Sequence, residues 1–306
     1  MPLTIFTHPD CLKHEMGINH PECPERLEVI SQKLKQASIA SQLEWKEAPL
    51  ATKDQLKRVH DSAYIEFIFS QSPRQGYVPL DPDTIMNPFT LSAALRASGA
   101  QVAAVDEVFS AKTKRAFCLV RPPGHHAELH EAMGFSFFNN IAVGVAHAFA
   151  QYHCQRIAIV DFDVHHGNGT ESIFLYEPRV CFWSSFQYPF YPGTVLTGKP
   201  SHIHLCPLAA GTRSDIFRQK VNLELLPILK DFKPECIFIS AGFDAHQGDP
   251  LANLMLTEDD YRFITEQICE ISDAFAKSRV ISTLEGGYNL QVLGNSVLAH
   301  IEAMLS

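Results

Sequence analysis

Cysteine pairs at close spacing are missing from this chain of 306 residues. Its eight cysteines, Cys11, Cys23, Cys118, Cys154, Cys181, Cys206, Cys236 and Cys269, are scattered without C-x-x-C spacing, several inside apolar runs, and read as reduced thiols. A basic excess is missing too. With 25 Lys and Arg against 34 Asp and Glu, the net charge is −9 and the pI near 5.9, which argues against a nucleic-acid binder; a cationic substrate or basic protein segment fits better. No apolar run is long enough to span a bilayer, and the N-terminus shows no basic stretch followed by an apolar one. These absences lead us to expect a cytoplasmic protein with no membrane partner. Repeats, low-complexity tracts and linker-like shifts are also absent, so one domain is expected over residues 1–306.

What is present is a set of apolar runs that each end in polar, chemically capable residues. Ile157-Ala158-Ile159-Val160 leads into D-F-D-V-H-H-G-N-G-T, which supplies Asp161, Asp163, His165, His166 and Asn168. Phe117 to Val120 leads into R-P-P-G-H-H-A, with His125 and His126. Ile237 to Ile239 leads into S-A-G-F-D-A-H, with Asp244, and Val280-Ile281 leads toward L-E-G-G-Y-N, with Tyr288. Ligands bind where the carboxyl ends of parallel strands open, so four such junctions converge on one sheet edge. A D-x-D or H-H taken singly is an ordinary turn. If the strand continued past Val160, Asp161, Asp163 and His165 would share one side, and an Asp/His set without Cys suits zinc with an open position, iron(II) or manganese.

Between these runs the patterns alternate. Strands are expected at Leu3–Phe6, Ile157–Val160, Val180–Trp183, Cys236–Ser240 and Val280–Leu284. Helices are expected from Glu25, after a capping box at Thr52 and Gln55, over 63–70 and 91–110, and over 140–152, 214–232, 257–277 and 289–305. The loop from Gln71 to Phe89, with four prolines, reads as part of a pocket rim. The alternation predicts an α/β fold: a single-domain, open, mainly parallel sheet with helices on both faces.

Seven stretches in order, H-P-E-C-P-E-R-L, R-P-P-G-H-H-A, G-F-S-F-F-N-N, D-F-D-V-H-H-G-N-G-T, F-Y-P-G-T, A-G-F-D-A-H-Q-G-D-P-L and E-G-G-Y-N-L, resemble the zinc-dependent histone deacetylase family. The likeness is greatest to its class II and bacterial histone-deacetylase-like amidohydrolase branch, and it spans nearly the whole chain.

The resemblance implies an arginase-like α/β fold in which Asp163, His165 and Asp244 hold one Zn2+. It implies that His126 takes a proton from the attacking water and passes one to the leaving amine. His125, held by Asp161, would assist electrostatically, and Asn168 stands behind His126 where many relatives carry an aspartate. Tyr288 matches the tyrosine whose hydroxyl donates to the oxyanion, with Gly286 and Gly287 letting its backbone approach. Phe135 and Tyr191 match the walls of an acyl-lysine tunnel, and the Gly134 carbonyl an acceptor for the substrate amide. Asp83 matches a rim aspartate, with Asp81 as the rival assignment, and Arg26 an arginine of the acetate channel. Leu251 occupies the position of a glutamate gatekeeper in a polyamine-specific relative. The likeness also implies a potassium ion, K+, near Asp161, Asp163, His165 and Ser184. His166 and His246 are expected either to support the metal ligands from behind or to be structural.

The implied activity is removal of acetyl or other acyl groups from lysine side chains of proteins or peptides, with a small acylated amine such as an acetylpolyamine as the alternative. A dimanganese ureohydrolase would leave the His pair and G-G-Y unexplained. A non-catalytic acyl-lysine reader would not need Tyr288 together with both tandem histidines.

Overall fold

The computed structural model describes residues 1–306. In chain order its strands are β1 (Leu3–Thr7), β2 (Leu43–Glu47), β3 (Val78–Pro79), β4 (Ile85–Met86), β5 (Arg115–Cys118), β6 (Ile157–Asp161), β7 (Val180–Gln187), β8 (Ile203–Leu208), β9 (Cys236–Ala241) and β10 (Val280–Leu284). Its α-helices are α1 (Glu25–Gln36), α2 (Lys53–Leu56), α3 (Ser62–Gln71), α4 (Thr90–Phe109), α5 (Asn140–Tyr152), α6 (Asn168–Phe174), α7 (Ser214–Lys220), α8 (Leu226–Phe232), α9 (Glu258–Phe275) and α10 (Leu290–Leu305). No helix is long and apolar enough to cross a membrane.

Eight strands form one sheet in the order β2-β1-β5-β10-β9-β6-β7-β8, and every pairing in it is parallel. The antiparallel exception is the short β3–β4 ribbon. Strands β5, β6, β9 and β10 are buried along their whole length, because helices cover both faces of the sheet. Helices α4 and α5 pack together over β1, β5, β10 and β9, while α1, α10 and α9 form a second row that α7 and α8 join. All eight cysteines are free, seven of them buried.

The four strands whose polar junctions stand out in the sequence are neighbours: β5, β10, β9 and β6 occupy the centre of the sheet. Being parallel, they deliver those junctions to one edge. Three expectations need correction. The strand through Ile157 stops at Asp161, so Asp163 and His165 sit in a loop and not on one strand face. The helix expected over 214–232 is interrupted by a π-helical turn, Val221–Leu225, which precedes Pro227; proline has no N–H for the regular ladder, and a wider turn accommodates it. Strands β2 and β8, at the two sheet edges, were not anticipated.

Behind the sheet's working edge lies a buried histidine that bridges three elements. His300 of α10 meets the Thr265 hydroxyl of α9 through Nδ1 at 2.6 Å and the Ser282 hydroxyl of β10 through Nε2 at 2.9 Å. Burial lowers its pKa to about 3, and His60 is lowered to about 4 by the same cause. An unfolded histidine titrates near ~6.5, so between these values the unfolded chain binds protons that the folded chain refuses. The contribution is therefore complete above pH ~6.5 and lost as pH falls through the folded values, on the order of a few kcal/mol. In urea midpoints measured from neutral to mildly acidic pH, His300→Gln should lose less stability than wild type as pH falls. Parallel pH curves for wild type and variant would contradict this account.

Candidate active site

The loop after β6 is shaped by its own carboxylates. Asp161 Oδ1 accepts the Asp163 N–H at 3.1 Å, and Asp163 Oδ1 accepts the His165 N–H at 2.9 Å, so each aspartate closes a turn on the residue two further on. Asp161 Oδ2 lies 2.9 Å from His125 Nδ1. Asp163 Oδ2 accepts the Gly286 N–H at 2.8 Å, and Asp244 Oδ1 accepts the Val164 N–H at 2.9 Å, which ties the ends of β6, β9 and β10 together. A side chain at Gly286 would run into the carboxylates of Asp163 and Asp244, so the close approach demands glycine there.

Asp163, His165 and Asp244 present ligand atoms that all lie within 4.8 Å of one another. His165 Nδ1 is 3.0 Å from Asp163 Oδ1 and 3.3 Å from Asp244 Oδ2. That Asp244 oxygen is buried and has no hydrogen-bond partner, an arrangement that costs free energy unless a cation takes it. Burial, and next the charge of Asp163, push Asp244 up to about 7. His165 is pushed up to about 10: burial opposes its charge, but the bond to Asp163 and the nearby Asp244 carboxylate outweigh that. Two carboxylates and one imidazole with an orphaned oxygen fit a divalent metal with open positions.

The tandem histidines differ in their surroundings. Burial works against the charged form of both; Asp161 and Asp163 overcome it at His125, whose pKa is raised, whereas His125 and His165 add to it at His126, whose pKa is lowered. His126 Nδ1 lies 2.7 Å from Asn168 Oδ1.

A cavity of about 250 Å³ opens over these groups and is lined by Asp83, His126, Gly134, Phe135, His165, Tyr191, Leu251 and Tyr288. Every one of these residues is predicted from the sequence for the site. The rings of Phe135 and Tyr288 meet edge to face at 6.0 Å, and Tyr191 stands 5.2 Å from His126. Gly134 has φ +55° and its missing side chain would strike the His126 ring. Between the rim acids, Asp81 is consumed by its own loop, accepting the N–H groups of Asp83 and Thr84, and Asp83 lines the cavity. Arg26 is wholly buried behind Tyr288, its guanidinium 4.9 Å from the ring centre, and it donates to the carbonyls of Gly287 at 2.6 Å and Glu285 at 2.5 Å. Ser184 pairs with Asp161 in the sheet register, and its hydroxyl meets His166 Nδ1 at 2.9 Å. His166 also contacts Glu171 at 3.0 Å, and His246 accepts the Gly248 N–H.

Four further residues shape the site and carry no role in the sequence reading. Glu285 accepts the N–H groups of Gly124 and His125 at 2.7 and 3.3 Å and the Ser240 hydroxyl at 3.1 Å; burial pushes its pKa up to about 7. Asp249 accepts the Tyr288 N–H at 2.7 Å through one oxygen and the Leu251 N–H at 2.9 Å through the other. Phe190 stacks on His165 at 5.4 Å, and His20 packs edge-on against Phe135 at 4.7 Å. All four stand within the motifs, as E-G-G-Y, G-D-P-L, F-Y-P-G-T and H-P-E-C-P-E-R-L, but nothing in those stretches shows what each side chain meets.

The histone deacetylase domain matches residues 20–304. The chain belongs to the histone deacetylase family. It is 33% identical to the histone deacetylase-like amidohydrolase of Pseudomonas aeruginosa, over 93% of this chain and 77% of that protein. It is 34% identical to a probable deacetylase of Archaeoglobus fulgidus, over 94% of this chain and 81% of the relative. The crystal structure of the HDA15 HD domain superimposes with a TM-score of 0.92 at 32% identity, covering 99% of this chain and 91% of the other. The class of activity is thus that of a deacetylase or amidohydrolase, and the fold is the α/β fold of the family.

The orphaned oxygen makes the metal site testable without substrate. Adding Zn2+ to metal-free protein should raise the thermal midpoint, since a ligand that binds only the folded state stabilises it. Asp244→Asn should abolish most of that gain, because it replaces a carboxylate ligand with a neutral amide. An unchanged zinc response in Asp244→Asn would remove Asp244 from the metal site.

Proposed function

We propose that the chain, as one catalytic domain over residues 1–306, is a zinc-dependent hydrolase that removes acetyl or other acyl groups from lysine side chains of proteins or peptides. The observation that carries this is the cavity of about 250 Å³ in which the side chains of His126, His165 and Tyr288 share one space with Phe135 and Tyr191. Two aromatic walls suit an aliphatic stem, and the polar groups below them suit an amide.

Asp163, His165 and Asp244 would hold Zn2+, which supplies Lewis-acid polarisation of a carbonyl and lowers the pKa of water. His126 is the general base and then the acid. Its lowered pKa keeps the imidazole neutral and ready to accept a proton from the attacking water, which it then passes to the leaving amine. His125 is kept protonated beside Asp161 and opposes the negative charge that builds as the amide is attacked. Tyr288 donates its hydroxyl hydrogen to the developing oxyanion. The Gly134 carbonyl accepts the substrate N–H, and Asp83 at the rim takes N–H groups of the peptide backbone. Arg26 supports departure of acetate through its position behind Tyr288. Asp161 and Ser184, together with backbone oxygens of Asp163 and His165, are assigned to K+.

Tyr288→Phe removes one donor that acts mainly on the transition state, so kcat should fall about 10²-fold or more while KM changes little. A steady-state comparison on an acetyl-lysine peptide checks this, and unchanged turnover would show that another group holds the oxyanion.

Leu251 sets the choice between acyl-lysine and acetylpolyamine. It lies at the cavity mouth, 36% exposed, and offers no charge to a secondary ammonium. A cation held there would lose hydration without a partner, so an acetyl-lysine peptide should have the higher kcat/KM. Leu251→Glu should shift the ratio toward N8-acetylspermidine. A wild-type protein that already prefers the polyamine would overturn the assignment of substrate while leaving the hydrolytic class intact.

A further inference from the structure

Asn168 is the ambiguous member of this site, because a carboxamide accepts at one end and donates at the other. If its NH2 group faced His126, Nδ1 would have to be the lone-pair nitrogen and the ring proton would sit on Nε2. A base with that tautomer has nothing left to accept with. With Oδ1 toward Nδ1, the proton is held on Nδ1 and Nε2 keeps its lone pair. Nothing within Asn168 selects between the two.

The selection comes from its other end. Asn168 Nδ2 lies 2.8 Å from Glu128 Oε1 and 3.3 Å from Met133 Sδ, and both of these groups only accept. The thioether is a weak partner, whereas the bond to the carboxylate is charge-assisted. Reversing the amide would place a carbonyl oxygen against a carboxylate. We infer that Glu128 is a positioning residue: it sets the orientation of Asn168 and, through it, the tautomer in which His126 serves as a base. This rests on the role given to His126 above.

Glu128 is itself held at its main chain. Its carbonyl accepts from buried His60 through Nδ1 at 2.9 Å, while His60 Nε2 accepts the Asn139 N–H at 2.9 Å. The Glu128 N–H donates to the Glu131 carbonyl at 2.9 Å. Its half-buried side chain borders a second cavity of about 360 Å³, shared with Asn168, Met133 and Glu171. His126, Asn168 and Glu128 thus form a line from the substrate cavity to this outer one.

The test uses the full-length, zinc-loaded protein and compares Glu128→Gln with Glu128→Asp. Glutamine keeps the shape but can present either end to Asn168, so kcat should fall about 10-fold with KM within about twofold, the usual scale for a residue that orients a site histidine. Aspartate restores an acceptor-only partner and should recover part of that loss. Long-range 15N–1H spectra of ring-labelled histidine report the tautomer directly, with the His126 signals assigned by their loss in His126→Gln. Wild type should show the proton on Nδ1, and Glu128→Gln should show a share on Nε2. A Glu128→Gln spectrum identical to wild type would overturn the inference, whatever happens to kcat. If the wild-type protein hydrolyses no acyl-lysine substrate, the functional reading falls and the spectra still decide the role of Glu128.

Discussion

Carboxylates crowded out of water govern this molecule. Asp161, Asp163, Asp244 and Glu285 are all buried where the central strands end, and unpaired charges of one sign in such a place would be expensive. The loops are arranged as the answer to that cost. One oxygen after another is given to a backbone N–H, at Asp163, Val164, His165, Gly286, Gly124 and His125, and two imidazoles supply opposite charge. After this one Asp244 oxygen still lacks a hydrogen-bond donor, with only the His165 ring 3.3 Å away, and it makes the pocket a candidate place for a cation. The same bonds that disperse the charge also position the ligands, so folding and site construction are one process here.

The two histidines of the tandem pair show how environment separates chemically identical groups. Both are buried within a few ångströms of each other, with ring centres 4.0 Å apart, yet one faces a carboxylate and the other an amide. A charged partner stabilises the imidazolium; a neutral one fixes orientation and leaves the ring uncharged. The opposite directions in which the two rings are pushed follow from which residue stands behind each one.

Legibility of the fold and site in the sequence followed burial. Strands β5, β6, β9 and β10 are enclosed on both faces and therefore read as apolar runs, and the polar residues that end each run could be placed at one sheet edge before any coordinates. Strands β2 and β8 lie at the sheet margins, where partial exposure breaks the apolar run: L-E-W-K-E looks like a surface segment, and Pro207 interrupts I-H-L-C-P-L. All the residues lining the cavity except Asp83 were legible because ordered motifs carried them. Asp249 and Glu285 were not given roles, since they act on backbone N–H groups and a sequence does not show which backbone a carboxylate will meet. The strand continuation after Val160 failed for a local reason: Asp161 bonds the N–H two residues ahead and ends the extended geometry.

Asp249 has two oxygens and spends them on two different parts of the pocket, the backbone under Tyr288 and the backbone of Leu251 at the mouth. Floor and doorway therefore hang from the same hinge pin. One side chain thus joins the backbone at the cavity mouth to the backbone beneath Tyr288, and a change in either is felt at the other.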